Sequence, residues 1–168
     1  MKTSAVFNSL RAFLEACREA NKRMVICYAD RAGHTIMIWR ETGAWLGSLE
    51  IAQSKAWTAI AFSGPTEEGA LTTEKIATMT QPGQPLYGLQ NTNQGKVVIF
   101  GGGIPIYVKG KLHGSVGVSG STVDDDIEFA QKAVDAYLAA YDEVPDDEPK
   151  PKPKDDVPAA DSEEQETE

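Results

Sequence analysis

The sequence predicts an α/β fold of the α+β kind: one domain with a mostly antiparallel sheet flanked by helices, followed by a disordered, Pro-rich acidic tail. Three observations carry this expectation. Short apolar runs come in pairs joined by glycine turns, as in hairpins. Segments with apolar residues at helical spacing alternate with those pairs. Beyond Val144, prolines interspersed with charges replace the apolar pattern. Hairpin-connected strands make an antiparallel sheet, and the amphipathic helices must then cover its faces.

The elements follow in order. Val6, Leu10, Phe13, Leu14 and Cys17 share one helical face, which predicts a first helix ending near Asn21. Met24 to Ala29 is an apolar run read as a buried strand. Asp30 to Gly33 is a turn, and Thr35 to Arg40 returns as a second strand. A second helix is expected from about Leu46 to Phe62, with Leu49, Ala52, Ala56 and Ile60 facing inward. Its small side chains let it lie close to the sheet or to a partner helix. Gly64-Pro65 ends it, and Thr66 to about Thr78 suggests a further short helix. Residues 80–95 read as a long polar loop, a kind that is commonly functional in compact domains. Lys96 to Phe100 reads as the next strand. Ile104 to Val108 and Leu112 to Ser119 make a glycine-rich hairpin across Lys109-Gly110. Ser121-Thr122 caps a last helix whose first turn carries Asp124, Asp125 and Asp126, and Ile127, Ala130, Val134, Tyr137, Leu138 and Tyr141 line its inner face.

Charge divides the chain. Residues 142–168 hold 12 acidic and 3 basic side chains, whereas residues 1–141 hold 13 of each. The expected units are therefore a globular domain over 1–144 and a solvated tail over 145–168, which serves either recruitment or solubility. A neutral body with an acidic tail lacks the basic footprint that nucleic-acid binding requires. Asn8, Arg11 and Glu15 break any apolar run in the N-terminal segment, which reads as an amphipathic helix and not as a signal peptide. No apolar stretch is long enough to span a membrane. Cytoplasmic placement is the expectation. It agrees with reading Cys17 and Cys27 as buried free thiols rather than a disulfide.

Candidate chemistry concentrates in a few places. Gly101, Gly102 and Gly103 precede a strand containing Pro105, and bare backbone there can approach a ligand. The same glycines also suit a close-packed sheet with no ligand. Lys55 and Arg40 are cations among apolar neighbours, suited to an anionic ligand group or to a local carboxylate. Tyr87 in the long loop is a further pocket candidate, and Trp39, Trp45 and Trp57 read as pocket walls or as core and interface. His34 and His113 are the two histidines, too few for a protein-built metal cluster, although one imidazole suffices as an axial haem ligand. The Asp124–Asp126 run suits a divalent cation or a helix dipole. Ser119 and Ser121 lack a nucleophile elbow and a diagnostic His/Asp pair, and no catalytic residue is assigned. Neither dinucleotide nor P-loop fingerprints occur.

Four segments in the same order resemble the GlcG/HbpS family, which includes the C-terminal domain of PduO-type proteins. They are Tyr28-Ala29-Asp30 with Gly33-His34; Ala52-Gln53-Ser54-Lys55-Ala56 with Thr58-Ala59; Pro85 to Leu89; and Gly101 to Gly120, ending Gly117-Val118-Ser119-Gly120. The resemblance spans about residues 3 to 141. It implies a profilin-like fold, a homo-oligomer and, in several members, haem. It also singles out Lys55 as the helix-motif lysine. Some haem-binding relatives carry the ligand histidine in the first helix. This chain has none there, which leaves His113, and next to it His34, as possible iron ligands. The expected function is binding of a small ligand, haem or a related tetrapyrrole, for storage, sensing or delivery. An enzyme or accessory protein handling a small organic acid or aldehyde in a catabolic pathway is the alternative.

Overall fold

The computed structural model describes residues 1–142. The expected tail over 145–168, and the end of the expected domain at Val144, lie outside the described residues. Four α-helices and four strands follow the chain: α1 (Thr3–Glu19), β1 (Val25–Asp30), β2 (Thr35–Arg40), α2 (Ser48–Ala61), α3 (Thr73–Met79), β3 (Gly103–Val108), β4 (Lys111–Ser119) and α4 (Val123–Tyr141). The strands form one antiparallel sheet in the order β2-β1-β4-β3. This is the expected α+β fold, with helices on both faces of an antiparallel sheet.

Strand alternation sorts the two cores. Ile26, Tyr28, Ile106, Val108, Val116 and Val118 point to one face, where α1 and α4 cover them with Phe13, Phe129, Val134 and Tyr137. Phe13 and Phe129 meet edge to face with centroids 6.2 Å apart. Ser9 ties this layer together, with its hydroxyl bonded to the Ala133 carbonyl and to the Tyr28 hydroxyl. Val25, Cys27 and Ala29 point to the other face, under Ala52 and Ala56 of α2. Helix α2 lies so close that a Cβ at Gly117 would run into the Ala52 carbonyl and the Ala56 nitrogen. The small inner face of α2 thus serves approach to the sheet. Ser115 adds a hydrogen bond of 2.8 Å to the Ala56 carbonyl.

The β1–β2 turn forms as the sequence implies. Asp30 accepts the backbone N–H groups of Ala32 and His34, and Gly33 takes φ +81°. Partial burial acts to raise the Asp30 carboxyl, but these N–H bonds outweigh it and hold the group below the usual carboxylate range. Pro105 sits on the edge strand β3, where its missing N–H costs no central ladder bond.

Two expectations change. Lys96 to Phe100 does not join the sheet. It runs along α2, with the Val98 N–H donated to Thr58 Oγ1 at 3.1 Å. Its apolar residues cover a helix rather than pair with a strand. Thr66 to Thr78 is not one helix: a single 3-10 turn, Glu67–Gly69, precedes α3, which Thr72 caps at the Lys75 N–H. Among the described residues no helix is long and apolar enough to cross a membrane, and both cysteines are free and buried. Burial raises the Cys17 thiol to about 12 and the Cys27 thiol to about 11.

Candidate functional site

The signature glycines, Lys55 and the acidic start of α4 meet at one point. Lys55 is fully buried on α2, and its Nζ lies 2.6 Å from Asp126 Oδ2 and donates to the Val118 carbonyl at 2.9 Å. Helices α2 and α4 cover opposite faces of the sheet, so this ion pair joins the two layers at the sheet end where β3 begins and β4 finishes. Gly102 lets it pass. With φ +114°, its Cβ position falls 2.8 Å from Lys55 Nζ and 2.9 Å from Asp126 Cβ. Gly103 packs on the Lys55 backbone and donates its N–H to Thr73 Oγ1 at 2.8 Å, while a Cβ at Gly101 would meet the Ile127 side chain. Burial pushes the Lys55 ammonium down and the Asp126 carboxyl up, and the attraction between them offsets part of both costs. The Phe100 ring covers Lys55 Nζ at 4.7 Å. Lys55 and Gly101–Gly103 are therefore together, as the sequence implies, but the lysine already has a carboxylate. An anionic ligand group there would have to displace Asp126.

The remaining candidates are dispersed. Arg40 donates to the Ala44 carbonyl at 2.9 Å and lines a surface depression with Arg23, Trp39 and Glu41. Tyr87 is 65% exposed in the long loop. Pro105 is buried in the hairpin. His34 is 82% exposed at its side chain, with Nδ1 3.7 Å from Asp30 Oδ2. Asp124, Asp125 and Asp126 do not converge on a cation. Asp125 pairs with Lys22 at 2.7 Å, a contact that, with the Ser121 and Thr122 bonds, holds its carboxyl far below the usual range. No group of three or more metal-ligating side chains occurs among the described residues.

His113 stands in a different setting. It lies near the start of β4, and its ring meets Tyr141 of α4 edge on, with centroids 5.3 Å apart. A groove of about 420 Å³ runs beside it, lined by Met1, Asp30, Arg31, Ala32, Leu112 and His113. A second depression of about 490 Å³ shares Arg31 and Leu112 with it and adds Pro65, Thr66 and Lys111. The turn after β1 supplies Arg31, the start of β4 supplies Lys111 to His113, and the segment after α2 supplies Pro65. The two adjoining depressions thus present one imidazole, the Arg31 and Lys111 cations, the Asp30 carboxylate and the apolar Leu112 and Pro65. His113, Arg31 and Lys111 could meet a flat, largely apolar ligand that takes a nitrogen donor and carries carboxylates, as haem does. Arg31 and Lys111 were not foreseen. Their signal was positional: Arg31 lies in the β1–β2 turn and Lys111 just after the Lys109-Gly110 turn.

The layered α+β fold carries a surface groove at one end of its sheet, and the comparisons specify the class of protein. Residues 1–135 match the family described as haem degrading protein HbpS-like, and the chain belongs to that family. It is 41% identical over 119 residues to the uncharacterized 15.0 kDa protein of the dhaT-dhaS intergenic region of Citrobacter freundii, covering 71% of this chain and 79% of that protein. It is 39% identical over 126 residues to the corrinoid adenosyltransferase PduO of Salmonella typhimurium, covering 75% of this chain but only 35% of PduO. Among solved structures, the PduOC:heme complex superposes with a TM-score of 0.74 at 35% identity, covering 81% of this chain and 94% of that one.

Proposed function

We propose that this chain binds haem or a related tetrapyrrole in the His113 groove, and that the ligand is held there for storage, sensing or delivery. The observation that carries this reading is the joint placement of His113, Arg31 and Lys111 around the Leu112–Pro65 surface. Family membership and the likeness to PduOC, whose structure was solved with heme, support it. Bound haem would supply an iron centre that an imidazole can ligate. The chain's part is to offer the His113 imidazole, steadied by Tyr141, and to pair Arg31 and Lys111 with carboxylates at the ligand's edge. Leu112 and Pro65 would exclude water from its apolar face.

Hemin titration followed in the Soret region tests this. His113→Ala should shift the Soret maximum and weaken binding by at least about tenfold, a loss near 1.4 kcal/mol. His34→Ala should change neither. Unchanged spectra in both variants would rule out histidine ligation in this groove.

The same reading includes a cytoplasmic homo-oligomer. The exposed Trp39, Trp45, Leu46 and Tyr87 support subunit contact, and the two free thiols support the compartment. The alternative, an enzyme acting on a small organic acid or aldehyde, would join Lys55 and Arg40 at one carboxylate. Lys55 is instead paired with Asp126, and Arg40 lines another depression.

A further inference from the structure

The end of the long polar loop lines a cleft apart from the His113 groove. Asn93 to Gly95 of the loop, with Lys96 just after it, lie opposite the outward face of α2 and enclose the cleft, of about 500 Å³. No residue of this cleft lines the His113 groove. The α2 wall carries Glu50, Gln53 and Trp57, and the loop wall carries Asn93, Gln94 and Lys96. Asn93 and Gln94 hold left-handed backbone, φ 50° and 59°, a conformation that costs non-glycine residues energy and recurs at ligand clamps. Trp57 is fixed by an edge-to-face contact with Phe62, at 6.4 Å between centroids, and by close packing on Gly33.

The charges in this cleft are few and opposed. Lys96 Nζ lies 4.5 Å from the centre of the Trp57 ring. Glu50 lies seven residues before Trp57, about 10 Å away along the helix axis at 1.5 Å per residue. No salt bridge joins Glu50 to Lys96 or ties either to another described residue. Between these ends lie the side-chain amides of Gln53, Asn93 and Gln94; Gln53 donates one N–H to Thr35 Oγ1 at 3.1 Å and Asn93 one to Thr92 Oγ1 at 2.9 Å, and each amide keeps a second N–H and its carbonyl oxygen. The cleft is thus neutral in sum, cationic at its Trp57 end and anionic at its Glu50 end.

We propose that this cleft binds a small zwitterion of dipeptide size, its ammonium toward Glu50, its carboxylate toward Lys96, and its amide backbone against Gln53, Asn93 and Gln94. A monoanion or monocation would leave one of the two charged ends without a partner. The inference is independent of tetrapyrrole binding, because the two sites share no residue.

Glycylglycine is the probe, followed by two-dimensional amide and indole N–H spectra of the full chain, with the Trp57 indole signal assigned by Trp57→Phe. Glycylglycine should shift the Trp57 indole and the Asn93–Lys96 amides saturably. N-acetylglycylglycine, which lacks the ammonium, and glycylglycinamide, which lacks the carboxylate, should each bind at least about tenfold more weakly. Glu50→Gln should abolish the preference for the free ammonium, and Lys96→Met the preference for the free carboxylate. Both side chains are exposed, so neither change endangers the fold. No saturable shift at these residues up to about 10 mM, a Kd above which binding is weaker than about 3 kcal/mol, would overturn the proposal. So would equal binding of the blocked peptides.

Discussion

Gly102, Lys55 and Asp126 explain one another at the scale of single residues. The lysine reaches past a glycine at φ +114° to a carboxylate in the first turn of α4. Removing one partner of a buried pair leaves the other charged and unpaired, which costs far more than replacing both. Lys55→Ala should therefore destabilise the fold by about 3–5 kcal/mol, read as a lower urea midpoint. The double change Lys55→Met with Asp126→Leu should recover most of that loss. If Lys55→Ala leaves stability intact and weakens hemin binding alone, the lysine serves a ligand rather than the join between layers. The sequence displayed Lys55 and the three aspartates, but not their partnership. They lie 71 positions apart, and which of the three aspartates faces inward depends on how α4 is rotated against the sheet.

At the scale of elements, most of the chain was legible because its periods are clean. The face of α1, the β1–β2 and β3–β4 hairpins and the Thr122-capped start of α4 all form where the pattern places them. Lys96 to Phe100 misleads for a physical reason. An extended β-branched run packs equally well over a helix, and apolar pattern alone does not distinguish the two. The seat of α2 on β4 is close. Gly117→Ala places a methyl group against the Ala52 carbonyl and Ala56 nitrogen. It should cost about 1–3 kcal/mol or more, as overpacking does. An unchanged urea midpoint would mean that α2 can lift from the sheet without loss.

For the whole molecule, the fold class could be read from alternation of hairpins and helices, and the family from four ordered segments. The groove could not. It assembles Arg31 after β1, Pro65 after α2 and Lys111 to His113 at the start of β4, and the antiparallel pairing of β1 with β4 brings the end of the one beside the start of the other. Association is also a property at this scale. The exposed Trp39, Trp45, Leu46 and Tyr87 lead us to expect at least a dimer. Light scattering at micromolar concentration should give a mass above the 18.1 kDa of one chain, and a mass of one chain would remove subunit contact from the account. The most direct test of the central claim is a crystal structure of the full chain with hemin. It should place the iron on the His113 imidazole and the propionates at Arg31 and Lys111. A macrocycle bound away from this groove, at the Lys55 end of the sheet or on the exposed tryptophans, would contradict it.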